Sequence, residues 1–366
     1  MDSPCLAALA GITARAFLTH ILFGLGLTAL SAAITWLMAS RVRILDIPNQ
    51  RSSHSQPTPR SGGVAIVLTF LVGLAAIFLW GDRTPIGRPY FQGFLAASMI
   101  VALISFADDV RPRPLLVRLA VQTAASLAVL AAGIVIDEIG FPWQGTIALG
   151  WLAWPVSLLW ILGLTNAFNF MDGLDGLAAG VAVLVSLLFA LITLSQGSTF
   201  VYITCYAVAA GALGFLAFNF SPARIFMGDV GSAFLGFVFA TLAIIAARYD
   251  HSHTSFFVMP LLVMGFLFDT AFTLIRRWRA GEKVTEGHRS HLYQLLARSG
   301  WSHRQVSLLH YGMVVLQGGG AILMLHITGD QRVLIFIPFL LLHSLYAWLV
   351  IRRARAHGLL AGGQPD

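Results

Sequence analysis

The sequence predicts an all-α, polytopic integral membrane bundle of about 10–11 transmembrane helices. Two observations carry that prediction. Of 366 residues, 57% are hydrophobic and only 11% charged, whereas a soluble domain carries about 25% charged residues. Apolar runs of membrane length also recur from one end of the chain to the other, separated by short polar stretches. No stretch has the composition of a large soluble domain, so residues 1–357 read as one transmembrane domain and 358–366 as a disordered tail.

A helical span needs roughly 17–25 apolar residues. In chain order the runs are Ala16–Ala39, Gly62–Trp80, Phe91–Ala107, Leu115–Ile136, Leu149–Leu164, Leu177–Leu194, Phe200–Phe218, Ser232–Ala247, Ser255–Ile275, Val306–Ile327 and Val333–Ile351. The first is too long for a signal-peptide core and reads as an uncleaved span. Several are short, which makes one of them a candidate re-entrant segment. The two cysteines, Cys5 and Cys205, have no metal-ligand spacing and imply no disulfide framework.

Charge sets the orientation. The net charge of +7 comes from 23 Lys and Arg, of which only Lys283 is lysine. Alternate loops divide these residues 18 to 5, and the basic side of a membrane protein faces the cytoplasm. The N-terminus is then periplasmic, the C-terminus cytoplasmic, and nucleic acid is not an expected partner. The polar stretches Arg41–Ser61, Asp108–Pro114, Asn166–Gly176, Asn219–Gly231 and Arg276–Arg304 all fall on the cytoplasmic side. The opposite loops are short and plain.

Four of these stretches carry groups suited to chemistry. Residues 165–177 read TNAFNFMDGLDGL, with Asn166, Asn169, Asp172 and Asp175 at every third position between two apolar runs. Ionisable groups at such a boundary are costly and usually functional; the plain alternative is a polar turn with Asn and Asp as caps. Adjacent Asp108 and Asp109 repel and stay ionised together only beside a cation. Arg111, Arg113 and Arg118 are candidates for that cation, and so is Mg²⁺, which takes carboxylates together with substrate phosphates. Asp229 lies between Gly228 and Gly231 just before the eighth run, where a helix N-terminus favours an anion. His288, Arg289 and His291 cluster in the longest polar loop; they suit a phosphate but also fit an ordinary basic loop, and they make no zinc site. A fifth stretch, 41–63, reads as a basic rim held extended by Pro48, Pro57 and Pro59. Asp269, inside the ninth run, is expected to pair with an arginine such as Arg276. Five aspartates on one face, with arginines and histidines, suit phosphoryl transfer with Mg²⁺.

Together these motifs resemble a known family. DIPNQRSSHSQPTPRSGG at 46–63, DD at 108–109, NAFNFMDGLDG at 166–176, FNFSPARIFMGDVGS at 218–232 and HRSHLYQ at 288–294 resemble, in order, the polyprenyl-phosphate N-acetylhexosamine-1-phosphate transferases of glycosyltransferase family 4. The resemblance covers about residues 41–305 and implies a multi-pass enzyme of the bacterial inner membrane with its active site toward the cytoplasm. The reaction it implies moves a sugar-1-phosphate from a UDP-N-acetylated sugar to undecaprenyl or another polyprenyl phosphate and releases UMP. The cofactor implied is Mg²⁺, or Mn²⁺ in its place, with membrane lipid as the surroundings and a homodimer among the assembly states. By position, Asp229 and Asp109 resemble the metal ligands and Asp108 the group acting on the lipid phosphate. Asn166, Asn169, Asp172 and Asp175 fall on the substrate side, the last three toward the nucleoside. Asn219 and Phe226 resemble uracil contacts, and His288, Arg289 and His291 diphosphate contacts. Many relatives carry H-x-H-H where this chain has His291-Leu292-Tyr293-Gln294. That departure points away from peptidoglycan synthesis and toward the branch that initiates O-antigen or related cell-surface lipopolysaccharide, with a 6-deoxy N-acetylated sugar as one suitable donor.

Two other classes fit less well. A transporter would bring inverted repeats and mid-span polar groups, and no repeat is present. An intramembrane prenyltransferase would bring two similar Asp-rich motifs, whereas DD and G-D-x-G-S accompany the N-x-x-D-x-x-D pattern here.

Overall fold

The computed structural model describes residues 14–360, apart from 43, 49–55, 81–87, 142–144, 251, 284, 328 and 330. Expectations that rest on Cys5, Arg43, Arg51, Arg83 and the tail from 361 onward lie outside the described residues. The helices are α1 (Ala14–Arg41), α2 (Gly63–Trp80), α3 (Arg88–Val110), α4 (Leu115–Ala131), α5 (Ala153–Phe170), α6 (Leu177–Ser195), α7 (Phe200–Asn219), α8 (Asp229–Arg248), α9 (Val258–Leu262), α10 (Met264–Arg279), α11 (Leu292–Arg298), α12 (His303–Met324) and α13 (Phe336–Ala356). Eight helices among the described residues are long and apolar enough to cross a membrane, and α2 and α4 contribute two shorter apolar helices. The chain is a polytopic helical membrane protein, as its composition requires.

The apolar run 255–275 is not one continuous helix. It is broken at Val263 (φ −101, ψ 13) into α9 and α10. Three other boundaries also differ from the sequence reading. Helix α3 continues through Asp108 and Asp109 to Val110, so the acidic pair occupies its last turn and does not follow it. Helix α4 stops at Ala131, and Gly133 (φ +95) turns the chain toward a hairpin, where the apolar pattern predicted helix to Ile136. At the C-terminus, Gly358 takes φ +65 and Leu359 N–H donates to Ala354 O at 2.9 Å, so an ordered turn closes α13 before the tail.

Helix α8 is the centre of the bundle. Every residue from Val230 to Ala246 is buried, because α2, α3 and α5 pack around it. The outer layer comprises α6 and α7, then α1 against α7 and α12 against α6. Without a hydrophobic drive between helices in lipid, close approach of small residues supplies the packing. Gly63 and Gly231 provide the tightest such contact: a Cβ on Gly63 would lie 2.3 Å from the Gly231 Cα. Outward faces carry large apolar side chains, such as Leu116, Leu159 and Trp348, as a lipid-facing surface should.

Two small antiparallel sheets complete the fold. At one end of the bundle, β1 (Leu45–Asp46) pairs with β2 (Thr58–Pro59). Beyond β2 the chain is laced to the segment before α8: Phe226 N–H donates to Pro59 O at 2.8 Å, Gly62 N–H to Phe226 O at 2.9 Å and Gly63 N–H to Met227 O at 2.8 Å. At the opposite end, β3 (Glu138–Phe141) pairs with β4 (Gly145–Ala148), and Arg248 at the end of α8 binds Asp137 and Glu138. The loop there is thus a hairpin fixed by ion pairs, more structured than the plain connection expected.

Gly63→Ala should force α2 away from α8, at a cost of about 1–3 kcal/mol by analogy with overpacked cores. The expected result is a lower melting temperature of the purified protein in detergent; an unchanged melting curve would show that the helices relax without loss.

Candidate active site

The polar stretches meet at the end of the bundle where α3 ends and α8 begins. Asp109 is the pivot. Its Oδ1 accepts from Arg60 Nη2 at 2.6 Å and from the Asp229 N–H at 2.9 Å, and its Oδ2 accepts from the Val230 N–H at 3.2 Å. A carboxylate there satisfies two otherwise unpaired amides and meets the positive end of the helix dipole. Gly228 (φ +74) makes the approach feasible, since a Cβ at that position would lie 2.4 Å from Asp109 Oδ2.

Asp229 is the more open carboxylate of the cluster, whereas Asp108 is buried. Arg118, one turn into α4, places a single Nη1 3.2 Å from Asp108 Oδ2 and 2.9 Å from Asp229 Oδ2. Arg113 contributes its backbone N–H to Asp108 Oδ1 at 2.5 Å. Asn169, on the last turn of α5, donates to Asp229 Oδ1 and to Ser232 Oγ, both at 3.0 Å. The family resemblance assigns it to the nucleoside side; in the fold it lies against Asp229. Asn166 lies one turn earlier and donates to Gln122 Oε1 at 3.0 Å. A small cavity opens beside these groups. Arg118, Gln122, Asn166, Asn169 and Asp229 form its polar wall, and Ile104, Leu115, Leu119 and Phe170 its apolar one.

The turn at 171–176 rests on the loop from 219 to 227. Asp175 pairs with His303 at 3.2 Å and accepts from the Ala223 N–H at 3.2 Å. Burial alone would raise its carboxyl, but the His303 bond and the Ala223 amide hold it below the usual range. Asn219 is buried with its amide engaged at both ends, accepting from Gly176 N–H at 3.0 Å and donating to Ile225 O at 2.9 Å. Both residues thereby tie loops together. Phe226 is half-buried at the site's edge, its backbone fixed by the first loop. Asp172 differs from its neighbours. It is half-buried by surface area yet set among many protein atoms, and its carboxyl is pushed well above the usual range by that burial and by Asp229 and Asp109.

In the long loop, His291 is buried and its ring lies 4.8 Å from that of His288. Burial, followed by the charges of His291, Arg277 and Arg276, lowers His288 to about 4, so it is a neutral ring at physiological pH. Arg289 is half-buried beside it. Tyr293 is fully buried and donates to Phe170 O at 2.8 Å, tying this loop to the 171–176 turn.

Carboxylates and guanidiniums meet in this cluster. Asp108, Asp109 and Asp229 pair with the guanidiniums of Arg60 and Arg118, and Asp172 lies close enough to Asp229 and Asp109 to be pushed toward its protonated form. Asp108 and Asp229 already converge on one cationic nitrogen. Asp109, an expected metal ligand, has a fully buried side chain whose oxygens accept from Arg60 and from the Asp229 and Val230 amides. The expected arginine partners of the acidic pair are Arg118 by side chain and Arg113 by backbone. Arg60, 49 positions before Asp109, was read only as part of a basic rim; its place next to Ser61-Gly62-Gly63, which must lie close to another segment, was the available signal. Gln122 gave no signal within an apolar run.

Comparison with known proteins adds a family. Residues 91–247 match the family model described as glycosyl transferase family 4. The chain is 32% identical over 276 residues, 75% of each chain, to a probable undecaprenyl-phosphate N-acetylglucosaminyl 1-phosphate transferase of Bacillus subtilis (strain 168). It is 31% identical to a decaprenyl-phosphate N-acetylglucosaminephosphotransferase of Mycobacterium leprae (strain TN), over 86% of this chain and 82% of the relative. It is 24% identical to an undecaprenyl-phosphate alpha-N-acetylglucosaminyl 1-phosphate transferase of Escherichia coli (strain K12), over 86% of each.

The raised Asp172 carboxyl has a stability consequence. A carboxyl that binds its proton more tightly in the folded state loses stability as pH rises from its ordinary value of 3.8. Asp172→Asn should therefore raise the melting temperature of the metal-free protein at pH 7–8, with the gain shrinking toward pH 4. Melting curves across that range check it; a gain independent of pH would show that charge is not the cause.

Proposed function

We propose a reaction for this chain from one premise: it belongs to the polyprenyl-phosphate N-acetylhexosamine-1-phosphate transferases of glycosyl transferase family 4. On this reading, the acceptor is undecaprenyl or another polyprenyl phosphate and the donor a UDP-N-acetylated sugar. An oxygen of the lipid phosphate attacks the β-phosphorus of the donor. The bond between that phosphorus and the oxygen bridging to the α-phosphate breaks, UMP leaves, and a polyprenyl-diphosphate sugar remains. The observation that carries the reading is the convergence of Asp108, Asp229 and Arg118 beside a cavity with one polar and one apolar wall. A polar head on an apolar chain needs such a junction.

Each residue has a role in this reading. Asp229 and Asp108 would hold Mg²⁺, or Mn²⁺ in its place. Such an ion would offset charge on the diphosphate oxygens. Asp109 and Asn169 fix the Asp229 carboxylate, and Arg118 offers positive charge to the incoming phosphates. Asp108 need not remove a proton, because a phosphate monoester with a second pKa near about 6 is already largely dianionic at pH 7. Phe226 stacks on uracil, while Asn219 and Asp175 hold its loop from behind. Asp172 and His291 face the diphosphate side. The basic excess of the loops at this end favours the cytoplasmic face of a bacterial inner membrane, with the N-terminus periplasmic. The product would start O-antigen or a related cell-surface glycan, and the relatives' names make N-acetylglucosamine the first donor to test.

UMP release by the purified protein in detergent, with undecaprenyl phosphate, Mg²⁺ and a panel of UDP-N-acetylated sugars, tests the reaction. Turnover with at least one sugar is expected, abolished by EDTA and by Asp229→Asn or Asp108→Asn. UMP formed without polyprenyl phosphate would sink the proposal. Phe226→Ala should raise the KM for the UDP-sugar by roughly 10-fold, as loss of a stacking contact of about 1–3 kcal/mol implies; an unchanged KM would place uracil elsewhere.

A further inference from the structure

Asp269 lies in α10, buried beneath the long polar loop, with 1% of its side chain exposed. Four donors converge on its carboxylate. Oδ1 receives His291 Nδ1 at 3.1 Å, the Leu292 N–H at 2.9 Å and Thr273 Oγ1 at 3.1 Å, and Oδ2 receives the Tyr293 N–H at 3.0 Å. Arg276, the partner its spacing suggested, instead donates to Ser290 O at 2.7 Å. The one buried aspartate of α10 is therefore joined to the histidine of the loop, 22 positions away.

This arrangement does more than cap a short helix. A carboxylate that accepts the Nδ1–H of an imidazole fixes its ring orientation and tautomer, and leaves Nε2 as the only ring nitrogen available to a ligand. When Nε2 also carries a proton, the carboxylate behind the ring balances the imidazolium. The ring is held on its other sides as well. His288 stacks at 4.8 Å, Phe170 lies at 5.9 Å and Tyr293 at 5.8 Å, all measured between centroids. The break at Val263 matters here, because it makes α10 a separate segment that can set Asp269 under the loop without following the axis of α9.

We propose that Asp269 is a positioning residue that acts through His291, presenting the Nε2 of that ring to the diphosphate of the donor nucleotide. The inference rests on the reading of the site as a UDP-sugar transferase. It predicts that Asp269→Asn, which keeps the shape but removes the charge, raises the KM for the UDP-sugar by about 10-fold with a smaller change in kcat. Because Asp269 works through one ring, Asp269→Asn should add no further loss in a His291→Gln background. Asp269→Glu, which restores the charge, should recover part of the affinity. Ring ¹⁵N spectra of histidine-labelled wild-type protein should show His291 with a protonated, hydrogen-bonded Nδ1.

A wild-type KM in Asp269→Asn, or equal losses with and without His291, would overturn the inference in favour of a purely structural cap. If Asp269→Asn does not fold, the ¹⁵N spectrum of the wild-type protein and the Asp269→Glu kinetics decide: an unprotonated Nδ1 overturns it. Failure of the reaction reading looks different. Wild-type protein would then release no UMP from any donor, while the ¹⁵N spectrum still reports whether Asp269 holds the ring.

Discussion

One carboxylate, that of Asp109, joins three parts of the chain that are far apart in sequence. It receives the first two amides of α8, it ends α3, and it draws Arg60 in from the first polar loop. Each partner needs it. The amides would otherwise be unpaired donors at a helix start, and Arg60 would lose its closest counter-charge, keeping only the longer contact with Asp229 at 3.9 Å. The Asp229 side chain sits on the residue whose amide Asp109 holds, so the direction of the exposed carboxylate follows from the buried one. The acidic pair at 108–109 thereby divides its labour: Asp109 builds the helix junction and Asp108 binds Arg118 and the Arg113 amide.

The rest of the site is assembled by the same economy of short contacts. The 171–176 turn, the 219–227 loop and the loop before α11 carry few long side-chain bridges; they are tied by single side chains to backbone groups. Asn219 links Gly176 to Ile225, Tyr293 reaches Phe170 O, and Ser307 reaches Asp175 O at 2.9 Å. Such ties cost little entropy in already ordered segments, and each fully buried polar atom among them finds a partner. They hold the loops around the cluster of Asp108, Asp109 and Asp229 with Arg60 and Arg118.

The position of α8 sets the two ends of the bundle apart. Its far end closes on a hairpin through Arg248, Asp137 and Glu138, an exposed set of ion pairs with balanced roles. Its near end opens on glycines, Gly228 and Gly231, that let α2 and the acidic pair approach the backbone. The central helix is thus anchored at one end and presented at the other.

The all-helical membrane fold and the grouping of polar stretches at one end were legible in the sequence, because lipid allows few alternatives. An apolar segment of sufficient length must satisfy its backbone internally, which makes it a helix. Successive helices must alternate direction, which sorts the loops into two sets. The acidic and histidine motifs were legible too, since polar residues flanking such segments stand out. Tertiary structure decided which of these residues touch. Linear spacing could not show that Arg60 crosses to Asp109, that Asn169 serves Asp229, or that Asp269 holds His291 and not an arginine of its own helix. Nor could it separate Asp109, closed off by two amides, from Asp108 beside it. Membrane burial fixes the secondary structure of each segment by itself, whereas partners for charged groups are set by how helix ends meet, and that depends on packing across the whole bundle.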